Sequence, residues 1–242
     1  MTIESQTEIQ SDQKTGNLSP EKIIIKFVTA ISGAIIGTGI LIGISAISWK
    51  ILAPITSVEK VEYSVVGFIF FIMILVFIAS TAGNLLSTFF LLLTEKSFPN
   101  KGKIIIQNLV LNILVFVLSI PAYIVLIFSN PKLSIFAAAI HMSISSAISA
   151  VVVFHSIHKE YKKLFAVSTN LSLIISATVL IFINNLIPSS TMILFTALPI
   201  IWGSIIVVSY IFLGIYSSIY GIYNSETKTV NQEKTVSDSN SK

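Results

Sequence analysis

The chain is 242 residues long, 54% hydrophobic and only 11% charged, against roughly a quarter charged in an ordinary soluble domain. With a mean hydropathy of +0.89, too little polar surface remains to coat a water-soluble globule, which excludes a soluble enzyme and a disordered tail protein. The net charge is +4, but the lysines are dispersed among helix ends and not gathered on the basic face that nucleic acid requires, so no nucleic-acid partner is expected.

Cysteine is absent, so a disulfide framework, a thiolate metal site and a cysteine nucleophile are excluded. All 15 basic residues are lysine, which leaves no arginine for a voltage sensor. Residues 1–22 carry Glu4, Glu8, Asp12 and Glu21 against Lys14 and Lys22. A secretory signal needs a basic start and a short apolar core, so this segment reads as a disordered polar tail before a retained span.

A helix crossing a hydrocarbon core of roughly 30 Å needs about 20 apolar residues. Six runs qualify, at 23–48, 63–93, 104–128, 133–156, 164–186 and 191–223. They are too long for strands. The expected fold is all-α: six transmembrane helices in a compact bundle, with residues 224–242 as a second disordered polar tail. Short connections force sequential helices to run antiparallel. Ser19-Pro20 and Asn130-Pro131 offer an N-cap followed by proline at the first helical position, and Ser189 or Ser190 can cap the sixth span. Pro99-Asn100-Lys101-Gly102 is turn chemistry. The second and sixth runs would reach about 46 and 50 Å as straight helices, so they must tilt, kink or protrude.

With the N-terminus inside, all of the 15 lysines except Lys50, Lys60 and Lys132 fall on the cytoplasmic side. This bias places both termini in the cytoplasm, with a prokaryotic plasma membrane as the expected bilayer.

The first span contains Gly33-x-x-x-Gly37 and Gly39-x-x-x-Gly43. At about 100° per residue the two pairs lie on different faces, and each lets a neighbouring backbone approach closely. The first span is therefore expected to pack between two neighbours, and a homo- or hetero-oligomer through this helix is the alternative use of the motif.

Depth along each helix singles out the polar candidates. Counting about 1.5 Å per residue from the inner boundary, Asn84 lies about 16 Å deep, Asn112 about 14 Å, Ser149 about 15 Å and Asn170 about 10 Å. Four helices thus bring uncharged polar groups to a similar level, either as interhelical glue or as the lining of a pathway. Asn108 and Asn112 share one face of the third span, and Ser168, Ser172 and Ser176 share one face of the fifth. In the outer half, Pro121 and Pro199 free the carbonyls of Val117 and Phe195, at a depth shared with His141, Ser119 and Thr196. His141, Ser145 and Ser149 follow at four-residue steps on one helix face.

His155 and His158 beside Lys159, Lys162 and Lys163 fit a helix C-terminus better than a metal site. No H-E-x-x-H, G-x-S-x-G, G-x-x-x-x-G-K-[ST] or G-x-G-x-x-G occurs, and no Asp or Glu lies inside a span. A non-enzymatic protein without metal or cofactor is expected. The leading expectation is a permease-like component for a small uncharged or zwitterionic solute, with the lipid bilayer as its surroundings. The rival is a structural or assembly subunit docking partner helices through the first span. A lipid-active transferase or hydrolase is a third reading, without a visible acid–base constellation.

Overall fold

The computed structural model describes residues 20–56, 61–95, 100–129, 134–158, 161–187 and 190–239. They form six helices: α1 Pro20–Thr56, α2 Val61–Thr94, α3 Lys101–Ser129, α4 Ser134–Ile157, α5 Lys162–Leu186 and α6 Ser190–Ser239. All six are long and apolar enough to cross a membrane. Residues 1–19 of the expected N-terminal tail and the caps expected at Ser19, Asn130 and Ser189 lie outside the described residues, as do Pro99 of the expected turn and Pro131, whereas residues 20–22 of that tail already form the first turn of α1.

Two helices run further than the apolar pattern suggests. α1 continues to Thr56, eight residues beyond Ser48, and α6 continues to Ser239 through the segment expected as a C-terminal tail. The apolar pattern marks where hydrocarbon ends, which is not where a helix must end. After Gly221 no glycine or proline follows to stop α6.

The packing order is cyclic. Each helix lies against its neighbours in sequence, α1 closes on α6, and α4 also touches α2 and α6 directly. About half of the membrane-spanning part of α2, α4 and α6 is buried (56% each), against 22–33% for α1, α3 and α5. The even-numbered helices therefore form the inside, and each odd-numbered helix fills a groove between two of them.

The bundle turns its polar groups inward. On α3 the buried stripe is Ile104, Asn108, Asn112, Val115 and Tyr123, while Ile106, Val110, Val117 and Leu118 are exposed on the other side. This reverses the amphipathicity of a soluble helix. An unsatisfied amide facing lipid costs several kcal/mol, whereas an isoleucine there costs nothing, so the asparagine face must turn toward protein. On α5 the buried face carries Phe165, Ser168, Ser172 and Ser176. Ser172 and Ser176 return their hydroxyls to the carbonyls of Ser168 and Ser172, while Ser168 meets Ser209 of α6 at 3.0 Å.

α1 and α2 meet backbone to backbone. A Cβ at Gly33 would collide with the main chain of Leu86 and Ser87, and one at Gly37 would come within 2.6 Å of Gly83 Cα. The Ser87 hydroxyl donates to the carbonyl of Ala30 at 2.7 Å. The expectation of two neighbours for α1 holds, but its physical basis differs. Gly33 and Gly37 serve α2, whereas α6 is met through Phe27 and Ile31 against Gly203. Gly39 and Gly43 face open space, with nothing among the described residues within 4 Å of either Cβ position.

Candidate functional site

The four-residue spacing of Asn108 and Asn112 on α3, and of Ser145 and Ser149 on α4, aims both pairs at α2. There Asn84 sits fully buried. Its Oδ1 accepts from the Ser146 hydroxyl at 2.8 Å and from Trp202 Nε1 of α6 at 3.0 Å. Its Nδ2 donates to Asn112 Oδ1 at 2.9 Å and to Ser145 Oγ at 3.2 Å. Two donors and two lone pairs are all that an asparagine side chain offers, and Asn84 uses all four.

The network extends from there. Asn112 Nδ2 lies 2.9 Å from Asn108 O, 2.7 Å from Asn108 Oδ1 and 2.9 Å from Ser149 Oγ. Asn108 donates to the Thr88 hydroxyl, and Ser149 Oγ lies 2.6 Å from Asn108 Oδ1 and 2.8 Å from the Ser145 carbonyl. A belt of amides and hydroxyls thus ties α2, α3, α4 and α6 together. Trp202 and Thr88, which the depth count does not select, belong to it.

Of the depth-matched residues, Asn84, Asn112 and Ser149 are brought together and Asn170 is not. Asn170 is exposed, and its Nδ2 donates to the Ala166 carbonyl of its own helix at 2.9 Å. It stands two residues from Ser168, about 200° round the helix from the buried serine stripe.

Toward the other end of the bundle, His141 is 3% exposed. Its Nδ1 lies 3.0 Å from Ser119 Oγ, while the Ser119 hydroxyl donates to the Phe116 carbonyl at 2.7 Å. With the serine proton so placed, Nδ1 carries the imidazole hydrogen and Nε2 is left as an acceptor. Nε2 has no hydrogen-bond partner among the described residues, and neither has the hydroxyl of Tyr123, which is 2% exposed. The two rings are neighbours, with centroids 6.4 Å apart. Phe116 meets the imidazole edge-on at 6.2 Å. Pro121 stands on the exposed face of α3 and Pro199 is half-buried inside α6. Thr196 returns its hydroxyl to Met192 of its own helix at 2.7 Å. Of the residues expected at this level, Ser119 is the one that reaches His141, and Tyr123 joins them from one turn further on.

A third cluster was not visible in the sequence pattern. Lys26 of α1, grouped there with the solvent-facing lysines, is buried, and its Nζ pairs with Glu95 Oε1 just past the end of α2. The Lys26 ammonium also lies 5.3 Å from the centre of the Tyr210 ring. His158 stacks on Phe165 at 5.1 Å and reaches the Tyr210 hydroxyl at 3.4 Å. Burial, and then the nearby Lys26 cation, push the His158 imidazole down to about 4. His155 turns elsewhere, to the Lys162 carbonyl at 3.1 Å. Among the described residues no three His, Cys, Asp or Glu side chains gather in a way that could hold a metal ion.

The fold and these sites define a polytopic α-helical membrane protein. No family model, curated protein or solved structure matches the chain.

Proposed function

We propose that the protein is a non-catalytic, permease-like component for a small uncharged or zwitterionic solute. The observation that carries this reading is the pair of unpartnered buried atoms, Tyr123 Oη and His141 Nε2. A buried polar atom left without a partner costs about 1–3 kcal/mol. A solute hydroxyl or amide that donates to Nε2 and accepts from the tyrosine would recover that cost.

The amide belt supports the same reading on energetic grounds. Hydrogen bonds between membrane helices are worth only about 0.6 kcal/mol each on average. A polar solute can therefore exchange with those bonds at little net cost. The side chains in the belt are neutral, which favours neutral or internally balanced solutes over ions. Without a nucleotide motif, the protein would act as a facilitator or as the membrane subunit of a complex powered elsewhere. The lysine distribution supports an orientation with both termini in the cytoplasm.

The test is swelling of reconstituted vesicles in glycerol, urea and glycine. The wild-type protein should accelerate entry of at least one of them, and Tyr123→Phe and His141→Ala should slow it. Unchanged entry in His141→Ala and Asn112→Ala would retire these residues from the pathway.

A second reading has its own observation. The open face of α1 at Gly39 and Gly43 would accept a partner helix, as in an assembly subunit. In that case Gly39→Leu with Gly43→Leu would abolish co-purification of another polytopic protein while leaving solute entry unchanged.

A further inference from the structure

At the lysine-rich end of the bundle, a cleft of about 410 Å³ opens between the first turns of α3 and α5 and the last turns of α4. Asn100, Lys103, Gln107, His155 and Lys162 line it together with Ser156, and among the described residues no carboxylate does. The Ser156 hydroxyl is committed to the Val152 carbonyl at 2.7 Å. Among the described residues, the donors left to the cleft are therefore the ammonium groups of Lys103 and Lys162 and the amides of Asn100 and Gln107. His155 Nε2 is occupied by the Lys162 carbonyl.

The position of the cleft narrows the occupant. Ile106 and Val110 of α3 and Val167 of α5 are 58–63% exposed within two turns of Lys103 and Lys162. These side chains face acyl chains in a bilayer, so the cleft lies at the headgroup level, where anionic lipid attracts lysine.

We infer that this cleft binds a phosphate group through Lys103, Lys162, Asn100 and Gln107, either as the phosphodiester of an anionic phospholipid or as a free phosphate. The inference does not depend on the transport reading, since the cleft shares no residue with the amide belt or with His141.

The full chain, delipidated in a neutral detergent, is followed by thermal unfolding. It is titrated with phosphatidylglycerol, with a phosphate-free glycolipid of the same acyl chains, and with inorganic phosphate against chloride of equal ionic strength. A ligand of the folded state raises the midpoint saturably. Phosphatidylglycerol should do so and the glycolipid should not. A matching response to inorganic phosphate assigns the site to soluble phosphoryl compounds, and its absence assigns the site to lipid. Each lysine beside an anionic headgroup contributes a factor of about five, so Lys103→Gln with Lys162→Gln should weaken binding about thirtyfold. Lys22→Gln, an exposed lysine of α1 outside the cleft, should leave it unchanged. No response to either phosphate source, or an equal response in the double variant, overturns the inference.

Discussion

Replacing Asn112 by alanine tests whether the amide belt holds the bundle together. The side chain makes two bonds to other helices, accepting from Asn84 at 2.9 Å and donating to Ser149 at 2.9 Å. At the average for membrane proteins these contribute about 1.2 kcal/mol together. Truncation also strips one acceptor from Asn84 Nδ2 and one donor from Asn108 Oδ1, both buried, and a stranded buried group costs at least about 1 kcal/mol. The expected loss is about 2 kcal/mol, roughly a thirtyfold change in the unfolding equilibrium. Titration from maltoside into dodecyl sulfate micelles, followed by the fluorescence of Trp202 in a Trp49→Phe background, measures it. Asn170→Ala is the internal reference, because that amide is exposed and bonds its own helix, and surface changes usually stay within about 0.5 kcal/mol. Equal stability of the two variants would refute the reasoning.

Gly33→Ala should destabilise the protein by about 1–3 kcal/mol through overpacking against the α2 backbone, while Gly39→Ala should be neutral or slightly stabilising in the same titration. Glu95→Gln leaves the Lys26 ammonium buried without its counter-charge and should cost about 3 kcal/mol. Lys26→Met with Glu95→Leu should recover most of that loss, and a double variant no better than Glu95→Gln would count against a buried pair. The His158 imidazole titrates near 4 in the folded protein and near 6.5 when unfolded. Between these values the unfolded chain binds the extra proton, so His158 lowers stability as pH falls from about 6.5 to about 4, by at most about 1.4 kcal/mol per unit. His158→Gln should flatten that part of the profile, and an unchanged slope would remove His158 as its source. Single cysteines at Ser57 and Asn130 should label from outside intact cells, whereas cysteines at Asn100 and Glu233 should not.

The six helices were legible because apolar run length alone separates a membrane span from a strand. The inward stripe of α3 was equally legible, since Asn108 and Asn112 repeat at the spacing of one helix face. Depth found Asn84, Asn112 and Ser149, but depth carries no azimuth. Asn170 shares the level of the belt and points away from it, and its angle from Ser168, Ser172 and Ser176 was the signal that distinguishes the two. Trp202 could have been found as an indole donor in mid-span, which needs a partner when buried. The Lys26–Glu95 pair needed the register of α1 on α2. Charge counts assign both residues to the aqueous boundary. The contacts at Gly33 with Ser87 and Gly37 with Gly83 fix an antiparallel register that brings Lys26 to Glu95.

The closure of α1 on α6 has a consequence for biogenesis. Phe27 and Ile31 leave the ribosome early, yet Gly203, the surface they cover, emerges more than a hundred residues later. At translation speeds of about 5–20 residues per second, the nascent first hairpin waits on the order of ten seconds before its second neighbour exists. During that interval lipid, or an insertion chaperone, must shelter the side of α1 that α6 later covers. Ring closure is thus the last step of assembly, and truncation before Gly203 would leave an open, five-helix intermediate.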